Sequence, residues 1–377
     1  MAEIAKAQAF GLARRGHEVT VATERDPARA TERWPAHVTV REFSVSGAGN
    51  ARSGCQGETA AYKRFIASLE TDIILCNCWQ NWATDLAVEV FPKTRAKKVI
   101  LSQGFNAHLW HRHRRFAWGL GQWLLARSYV RRLPAMLKAF DHLIFLSSQR
   151  DRQRFYDHWM AGRLALTRRS ILPNGVWLRE LAERQPAFRQ RHGIQTPHLV
   201  LNVANYCDRK NQMAALRAFA KLGRRDATLV FIGSERNTYS EQMVHLGREL
   251  LRADFQKHVL ILTQVPRATI YSAYQAADIF LLPSKDETQP VVLLEAMGSG
   301  VPWVSTPTGC VREMPGGLIA HGETEMADAL ATLLNDSGRR RQLGEQGRAA
   351  VQSRYSWESV LQRYEALFEE LLGEGYH

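Results

Sequence analysis

Two glutamates, Glu287 and Glu295, lie on either side of a predicted helix start. An apolar run before Glu287 predicts a strand, and the helix that contains Glu295 is expected to begin near Pro290 and to end at Gly298 and Gly300. Free N–H groups at such a helix start form an anion site suited to a diphosphate. Carboxylates that flank the phosphates can accept hydrogen bonds from sugar hydroxyls. For this spacing alone, two solvated acids are the commoner interpretation.

A cationic pair, Arg209 and Lys210, follows another apolar run, HLVLNVA. Cations that face a diphosphate stabilise the negative charge of a departing nucleotide. Two solvated charges on a strand-to-helix loop are the alternative interpretation. Glu287 and Glu295, further along the chain, favour the diphosphate-binding interpretation of the pair.

Residues 278–314 resemble the signature of the family-4, or group 1, glycosyltransferases, a retaining group with the two-domain fold called GT-B. The family reads Pro-Ser, a glutamate, seven residues, then Glu-Ala-Met and a glycine. This chain has Pro283 and Ser284, Glu287, Glu295 and Gly300 in that order. The resemblance implies that Glu287 contacts the transferred sugar and that Glu295 binds the ribose of a nucleotide-sugar donor.

The segment VANYCDRKNQMAALRAFAKL, residues 203–222, is similar to the family pattern VGRLxxxKGxxxLLxAF. Lys210 matches the family's lysine, and Asn205 stands at its arginine, whose role Arg209 is expected to take. The implied catalytic group is therefore Glu287, Lys210 and Arg209. Cys310 replaces the second glycine of the family's later turn, which restricts the backbone there.

Further donor contacts follow from the same resemblance. The stretch LILTQVPRATIYSAYQAAD matches the family's base-binding loop, so backbone groups near Gln264 and Val265 are expected at the nucleobase. The expected donor-binding residues are Glu295, Asn205, Gln289, Pro290, Val291, Gln264 and Val265.

The acceptor side is expected after the strand in KKVILSQGFNAHLW. There the family often has a histidine near the acceptor, whereas this chain has Gln103 and then His108. His108 is a candidate for proton transfer, and a solvated loop histidine is the alternative.

The sequence contains no Asp-x-Asp, the paired acids with which metal-dependent transferases hold a divalent cation. We therefore expect neither a metal nor another cofactor, because Lys210, Arg209 and a helix terminus can neutralise the diphosphate. The resemblance implies front-face transfer with retention through an oxocarbenium-like transition state. The leaving phosphate itself can accept the proton of the incoming hydroxyl.

Apolar runs separated by helical segments predict two α/β domains, each with a parallel sheet covered on both faces. We expect two Rossmann-like, doubly wound domains that face each other across a cleft, as in GT-B. The expected bounds are 1–180 for a basic acceptor-side domain, 181–355 for a nucleotide-sugar-binding domain, and 356–377 for a helix that returns to the first domain. Since the chain starts at the first helix, the first strand of the N-terminal domain is expected to be missing, and the native N-terminus to lie upstream.

The formal charge of +13 lies entirely in residues 1–180, which hold 28 Lys and Arg against 15 Asp and Glu. The densest basic stretch, residues 110–140, also carries aromatic side chains and predicts attachment to an anionic membrane surface. Packing of its apolar face into the domain is the alternative. The sequence shows neither a membrane-spanning run nor a signal peptide, and its five cysteines fit reduced thiols. We expect a cytoplasmic protein, peripheral on the inner face of the membrane.

The predicted function is transfer of a sugar from a nucleotide-diphosphate-sugar to a glycan or lipid-linked acceptor, in polysaccharide or lipopolysaccharide biosynthesis. A nucleotide-sugar epimerase of the same fold and a non-catalytic nucleotide-sugar-binding protein are the alternatives. Nucleic acid is not an expected partner, because the donor signature would then have no use.

Overall fold

The apolar runs form parallel strands in the computed structural model of the chain, which divides into two units. Unit 1 comprises Met1–Pro173 and Val360–His377, and unit 2 comprises Asn174–Ser359. The structure describes residues 2–27, 29, 33–48, 54–105, 117–150, 152, 154–183 and 187–373, with the backbone alone at residues 2 and 117–126.

Unit 1 contains parallel strands with helices between them. Its described strands are β1 Val19–Glu24, β2 Val38–Phe43, β3 Val45–Gly47, β4 Cys55–Gly57, β5 Ile73–Asn77, β6 Lys97–Ser102, β7 His142–Phe145 and β8 Arg169–Ile171. Its described helices before residue 173 are α1 Ala2–Arg14, α2 Thr59–Ala67, α3 Trp82–Val88, α4 Ala117–Lys138 and α5 Tyr156–Arg163. Gly16 follows α1 with a φ of +97°, as expected for a helix stop.

The described strands of unit 1 form three sheets. β5, β6, β7 and β8 make a four-stranded parallel sheet, β1 and β2 pair in parallel, and β3 and β4 pair antiparallel. The sequence patterns had not indicated β2, β3 or β4, because each is short or contains charged residues that interrupt the apolar run. Cys78 lies one residue beyond β5 in the left-handed region, with a φ of +72°.

Unit 2 contains one six-stranded parallel sheet in the order β11-β10-β9-β12-β13-β14. The strands are β9 His198–Val203, β10 Ala227–Gly233, β11 Val259–Thr263, β12 Ile279–Leu282, β13 Trp303–Ser305 and β14 Gly317–Ile319. The helices are α6 Leu178–Ala182, α7 Phe188–Arg191, α8 Gln212–Leu222, α9 Thr238–Leu251, α10 Phe255–His258, α11 Arg267–Ala276, α12 Val291–Gly298, α13 Glu323–Asn335 and α14 Ser337–Ala350, and α15 Trp357–Gly373 follows.

Both faces of the unit 2 sheet are buried, as the unbroken apolar runs predicted. Alternate residues of β9 pack into different core clusters, Leu201 and Val203 into one and Val200 into the other. β9 and β12 are paired parallel strands in the middle of the sheet, so their carboxyl ends lie side by side. The loops that follow these two strands contain the predicted cations and Glu287.

The C-terminal helix belongs to unit 1 from Val360 onward. Gln8 of α1 donates a hydrogen bond to the hydroxyl of Tyr364, 3.0 Å away. Leu361 packs so closely on Gly11 that a Cβ at Gly11 would lie 2.2 Å from it. These contacts tie α1 and α15 together.

The boundary between the units differs from the expected one by a few residues. It lies after Pro173, not after residue 180, and the chain re-enters unit 1 at Val360, not at residue 356. Val176 donates its N–H to the carbonyl of Tyr355, and Trp357 donates to the carbonyl of Val176. These two bonds hold both crossing segments in unit 2.

Candidate active site

The loop after β9 places Lys210 at the carboxyl ends of the unit 2 strands. Tyr206 anchors this loop, because its buried hydroxyl lies 2.6 Å from the carbonyl of Leu262. Gly233 leaves the room for that ring, since a Cβ there would lie 2.6 Å from it. Gln212 closes the loop by donating to the carbonyl of Asn205, 3.0 Å away. Asn205 itself is exposed, at the position where the family pattern has an arginine.

Asn211 sets the direction of the chain between Lys210 and α8. Its φ of +55° is left-handed, a conformation that asparagine tolerates better than most residues. Its side-chain amide donates to the carbonyl of Pro283, 3.1 Å away, at the end of β12. The loops after β9 and β12 are therefore joined directly beside the two predicted site residues.

Lys210 and Glu287, which the sequence analysis assigned to catalysis, form an ion pair. The Lys210 Nζ lies 2.5 Å from Oε1 of Glu287, and the two side chains are 14% and 7% exposed. Arg209 lies further out, with Nη1 3.6 Å from Oε2 of Glu287 and 3.0 Å from the carbonyl of Asp286. The structure thus brings together all three residues of the predicted catalytic group. Arg209, with its side chain 54% exposed, remains accessible to a ligand.

The loop that carries Glu287 is held by hydrogen bonds to the turn at residues 308–310. The backbone N–H of Glu287 donates to Oγ1 of Thr308, 2.8 Å away, and Cys310 donates to the carbonyl of Thr288. Gly309 has a φ of +55°, and a Cβ there would lie 2.2 Å from the carbonyl oxygen of Thr288. Only glycine fits at this position.

Cys310 does not need the permissive backbone that the resemblance had suggested. It is the second residue of the 3₁₀ turn Gly309–Glu313 and lies outside the left-handed region, so a side chain is accommodated. The thiol is buried, and burial raises its pKa to about 12. Cys310 therefore packs as a small apolar residue beneath the Glu287 loop.

The start of α12 offers fewer donors than the sequence suggested. Pro290 lacks an N–H, and Leu293 donates to the carbonyl of Pro290 at 3.0 Å, so helix geometry leaves Val291 and Val292 as the N–H groups that point outward. Gln289 is largely buried, and its Oε1 accepts the N–H of Asn174, 2.6 Å away. Its side chain thus serves the fold, and its predicted place among the donor-binding residues stays a prediction.

Glu295 lies inside α12 with a residue exposure of 2%. Arg267 donates to its Oε1, and the hydroxyl of Tyr274 lies 2.9 Å from its Oε2. Burial raises the pKa of Glu295, whereas the charge of Arg267 and the bond from Tyr274 oppose this rise. Sequence reasoning missed Arg267 and Tyr274, because no motif marks them, although α11 follows directly on the predicted base-binding loop.

The predicted base-binding loop lies between β11 and α11. Gln264 is exposed with a left-handed φ of +55°, and its N–H is held by the carbonyl of Ser234 at 3.0 Å. Val265 is half-buried against the core of unit 2. The loop is thus rigidly shaped and has backbone groups at the surface.

In unit 1, the carboxyl ends of β5 and β6 are joined by a buried polar network. Asp157 of α5 is fully buried and accepts bonds on Oδ2 from Nε1 of Trp79, at 2.8 Å, and from the hydroxyl of Ser102. The same hydroxyl accepts the N–H of Gly104, which fixes the backbone around the half-buried Gln103. The sequence analysis did not identify Asp157. His108, the other predicted acceptor-side residue, lies outside the described residues.

The basic stretch at residues 110–140 forms α4 from Ala117 onward, and its first residues lie outside the described ones. In the part with described side chains, the apolar face packs into the core of unit 1. The packed side chains are Tyr129, Val130, Leu133, Met136, Leu137 and Phe140. Arg131 and Lys138 are exposed. This part of the apolar face is therefore not available to a membrane, contrary to the expectation for an amphipathic surface helix.

Neither a membrane-spanning helix nor a metal-binding cluster occurs among the described residues. Each of their helices is too short or too polar to cross a bilayer. No three His, Cys, Asp or Glu side chains in the same part of the chain lie together as metal ligands would.

Comparison with known proteins finds a family match within unit 2. Residues 184–350 match the family model described as glycosyl transferases group 1. A curated relative, the GDP-mannose-dependent monoacylated alpha-(1-6)-phosphatidylinositol monomannoside mannosyltransferase of Corynebacterium glutamicum, is 29% identical over 51% of this chain and 54% of its own length. The chain spans about half the length, or less, of the curated relatives it matches.

Solved structures match nearly the whole chain. Sucrose-phosphate synthase from Thermosynechococcus elongatus has a TM-score of 0.74 at 17% identity, with coverage of 97% of this chain and 92% of the other. The Anabaena protein Alr3699/HepE, solved in complex with UDP and glucose, has a TM-score of 0.73 at 17% identity, with coverage of 98% and 95%. The fold is that of the GT-B glycosyltransferases.

Proposed function

We propose that the chain moves a sugar, with retention, from a nucleotide-diphosphate-sugar to a glycan or lipid-linked acceptor, because residues 184–350 match the family model of group 1 glycosyl transferases. The observation that carries the proposal is the ion pair of Lys210 and Glu287 at the carboxyl ends of β9 and β12. Ligands of open parallel sheets bind beyond the carboxyl ends of the strands.

The cations at these strand ends suit a diphosphate. Lys210 has three N–H donors, of which one is directed at Glu287, and the exposed Arg209 adds a second positive charge. The N–H groups of Val291 and Val292 lie in the first turn of α12, which follows the loop that carries Glu287. We propose that these groups bind the two phosphates, while Glu287 accepts a hydroxyl of the transferred sugar.

The proposed transfer needs no acid or base from the protein. The bond between the anomeric carbon and the diphosphate oxygen breaks, and the acceptor oxygen bonds to the same face of that carbon. The proton of the acceptor hydroxyl passes to the leaving phosphate oxygen. Lys210 and Arg209 stabilise the charge that develops on this oxygen, which is the task a divalent cation performs in metal-dependent transferases. Retention is testable, because NMR of the product reports its anomeric configuration.

The remaining donor contacts follow the arrangement of unit 2. Glu295 would bind the ribose, and backbone groups at Gln264 and Val265 would meet the base. HepE, a protein of the same fold, was solved with UDP and glucose, which supports a nucleotide in this kind of domain. Asn205 would add a neutral contact, in place of a cation, on the side of the phosphates.

We propose that the acceptor is anionic or lipid-linked and that the basic unit 1 attaches to an anionic membrane surface at the cytoplasmic face. Because the described apolar face of α4 is buried, the attachment would be electrostatic and would use exposed cations such as Arg131 and Lys138. One relative is named as a mannosyltransferase of phosphatidylinositol monomannoside, which supports a lipid acceptor. A role in polysaccharide or lipopolysaccharide biosynthesis would follow.

A thermal-shift panel of UDP-, GDP- and ADP-sugars with the free nucleotides tests the proposal, because a ligand of the native state raises its melting temperature. We expect one base to stand out and the corresponding nucleotide-sugar to be consumed only when an acceptor is present. An epimerase would convert the sugar without an acceptor. Absence of any shift, together with salt-sensitive binding to DNA or RNA, would contradict the proposal.

A further inference from the structure

The carboxylate of Glu295 is held by two side chains of α11. Arg267 donates through Nη2 to Oε1, and Tyr274 donates to Oε2. Each oxygen of an ionised carboxylate has two lone pairs, so each retains one for a ligand. Two remaining acceptor sites on one carboxylate match the two neighbouring hydroxyls of a ribose.

Arg267 is itself held in one place. Its Nε lies 3.0 Å from the hydroxyl of Tyr271, and its guanidinium lies over the ring of the same residue, 4.8 Å from the centroid. The hydroxyl of Tyr271 in turn lies 2.7 Å from Oε2 of Glu180 on α6. A guanidinium with fixed donors keeps its partner carboxylate in one orientation.

The place of Arg267 in the chain puts it next to the donor. It is the first residue of α11, directly after the loop that is proposed to meet the base, and its side chain is 56% exposed. Glu295, with which it pairs, is only 3% exposed. Arg267 therefore links a buried carboxylate to the surface next to the loop that is proposed to meet the base.

We propose that Arg267 is a positioning residue that holds Glu295 as a charged acceptor for two ribose hydroxyls, and thereby makes the site prefer ribonucleotides to deoxyribonucleotides. The inference rests on the proposed function, because it assumes that Glu295 binds the ribose of the donor. Arg267 acts through Glu295 and need not touch the nucleotide.

The charges around Glu295 give the inference a pH signature. The described groups that face it are Arg267, Tyr271 and Tyr274 of α11 and Glu180 of α6. Without Arg267, burial and the negative charge of Glu180 both favour the protonated form of Glu295. A protonated Glu295 has lost an acceptor site. Recognition of the ribose would then weaken as the pH falls.

The test compares ribose with deoxyribose in variants of Arg267. The probe is whichever of UDP, GDP and ADP binds the wild type most tightly, together with its 2′-deoxy and 3′-deoxy counterparts. Affinities are measured by calorimetry from about pH 5.5 to about pH 8.5, a range above the usual pKa of a glutamate. The ratio of ribo to deoxy affinities cancels the titration of the phosphates. The variants are Arg267→Gln, Arg267→Lys and Glu295→Gln, and the control is Arg191→Gln, because Arg191 also donates to α11, at Oγ1 of Thr269, 3.2 Å away.

We expect the wild type and Arg191→Gln to prefer the ribonucleotide by ~10-fold or more at every pH, as hydrogen bonds to a charged group predict. Arg267→Gln should lose most of this preference, and more of it at low pH. Arg267→Lys, which restores the charge, should keep part of the preference with little change across the pH range.

Each other outcome overturns a defined part of the account. If Glu295→Gln loses the preference and Arg267→Gln keeps it at all pH values, the inference about Arg267 is wrong and the ribose assignment stands. If Glu295→Gln keeps the preference, Glu295 is not the ribose acceptor and the inference falls with it. If the wild type binds no nucleoside diphosphate, the proposed function fails as well.

Discussion

Lys210 and Glu287 meet through a 2.5 Å contact between ammonium and carboxylate, although 77 positions separate them in the sequence. The contact exists because β9 and β12 are neighbours in the sheet, so that the loops after them share one edge. A loop from each strand thus supplies one charge of the pair, and the site needs both loops in place.

Replacement of Glu287 by glutamine should lower kcat by about 10²-fold or more, and it should change nucleotide affinity little. Glutamine keeps the shape of the side chain but removes the charge that is proposed to act on the sugar in the transition state. Steady-state kinetics with the identified donor provide the measurement. Glu323→Gln, a change in the ion pair of the half-buried Glu323 with Arg217, is the control. Near-normal turnover in Glu287→Gln would remove it from the catalytic group.

Transfer should persist in excess EDTA, because Lys210 and Arg209 are proposed to neutralise the diphosphate. The measurement is the initial rate with and without chelator, followed by addition of Mg²⁺ or Mn²⁺. A rate that vanishes with EDTA and returns with Mn²⁺ would mean that acids assigned to the sugar hold a cation.

Gly309→Ala should destabilise unit 2 by about 3 kcal/mol or more, since it adds a backbone clash to an unfavourable φ. Gly193→Ala is the matched control. Its φ of +63° imposes the same kind of strain, but nothing lies within 4 Å of a Cβ there. We expect Gly193→Ala to cost only about 1 to 2 kcal/mol. Equal losses in chemical denaturation would show that the contact with Thr288 is relieved by small movements.

Asp157 should make the stability of unit 1 depend on pH. Burial raises its pKa above the usual value of 3.8. The native state therefore holds the proton more tightly than the unfolded state, so this contribution to stability is complete below pH 3.8 and is lost as the pH rises through the raised pKa. Asp157→Asn should remove that dependence, whereas Asp328→Asn at an exposed site of α13 should not. Denaturant unfolding from about pH 4 to about pH 8 distinguishes the two. A parallel pH dependence in Asp157→Asn and the wild type would assign the effect to other groups.

Binding of the chain to anionic vesicles should be salt-sensitive and should weaken on Arg131→Glu. Each basic residue near such a surface contributes about 1 kcal/mol, and charge reversal removes more than that. Arg225→Glu reverses an exposed charge of unit 2 and is the control. Co-sedimentation that is equal on neutral and anionic vesicles would leave the charge of unit 1 without a membrane role.

The positions of the unit 2 strands and of the loops that carry Lys210 and Glu287 were predictable from sequence, because both depend on local patterns. Apolar runs mark buried parallel strands, and two short motifs mark the loops at their ends. The partners of Glu295 and Asp157 were not predictable. Arg267 meets Glu295 only because α11 packs beside α12, and Trp79 meets Asp157 across 78 positions through the packing of α5. Such contacts depend on tertiary structure that no short spacing encodes.

The short strands β2, β3 and β4 escaped prediction for a related reason. β2 contains Arg41 and Glu42, and β3 and β4 have three residues each, so their pairing rather than their composition makes them strands. Similarly, the sequence left open whether the apolar face of α4 packs on protein or on lipid, because amphipathicity alone does not distinguish the two.

The central claim is that a nucleotide-sugar donor contacts Lys210 at the carboxyl ends of the unit 2 strands. The most direct measurement is the affinity of Lys210→Ala for the nucleoside diphosphate that the wild type binds, compared with that of Lys221→Ala. Lys221 lies at the far end of α8, the helix that follows Lys210, and pairs there with Glu323. We predict that Lys210→Ala weakens binding by ~10-fold or more, since it removes a charged contact to phosphate, while Lys221→Ala matches the wild type. Equal affinities of the two variants and the wild type would place the donor elsewhere and contradict the account.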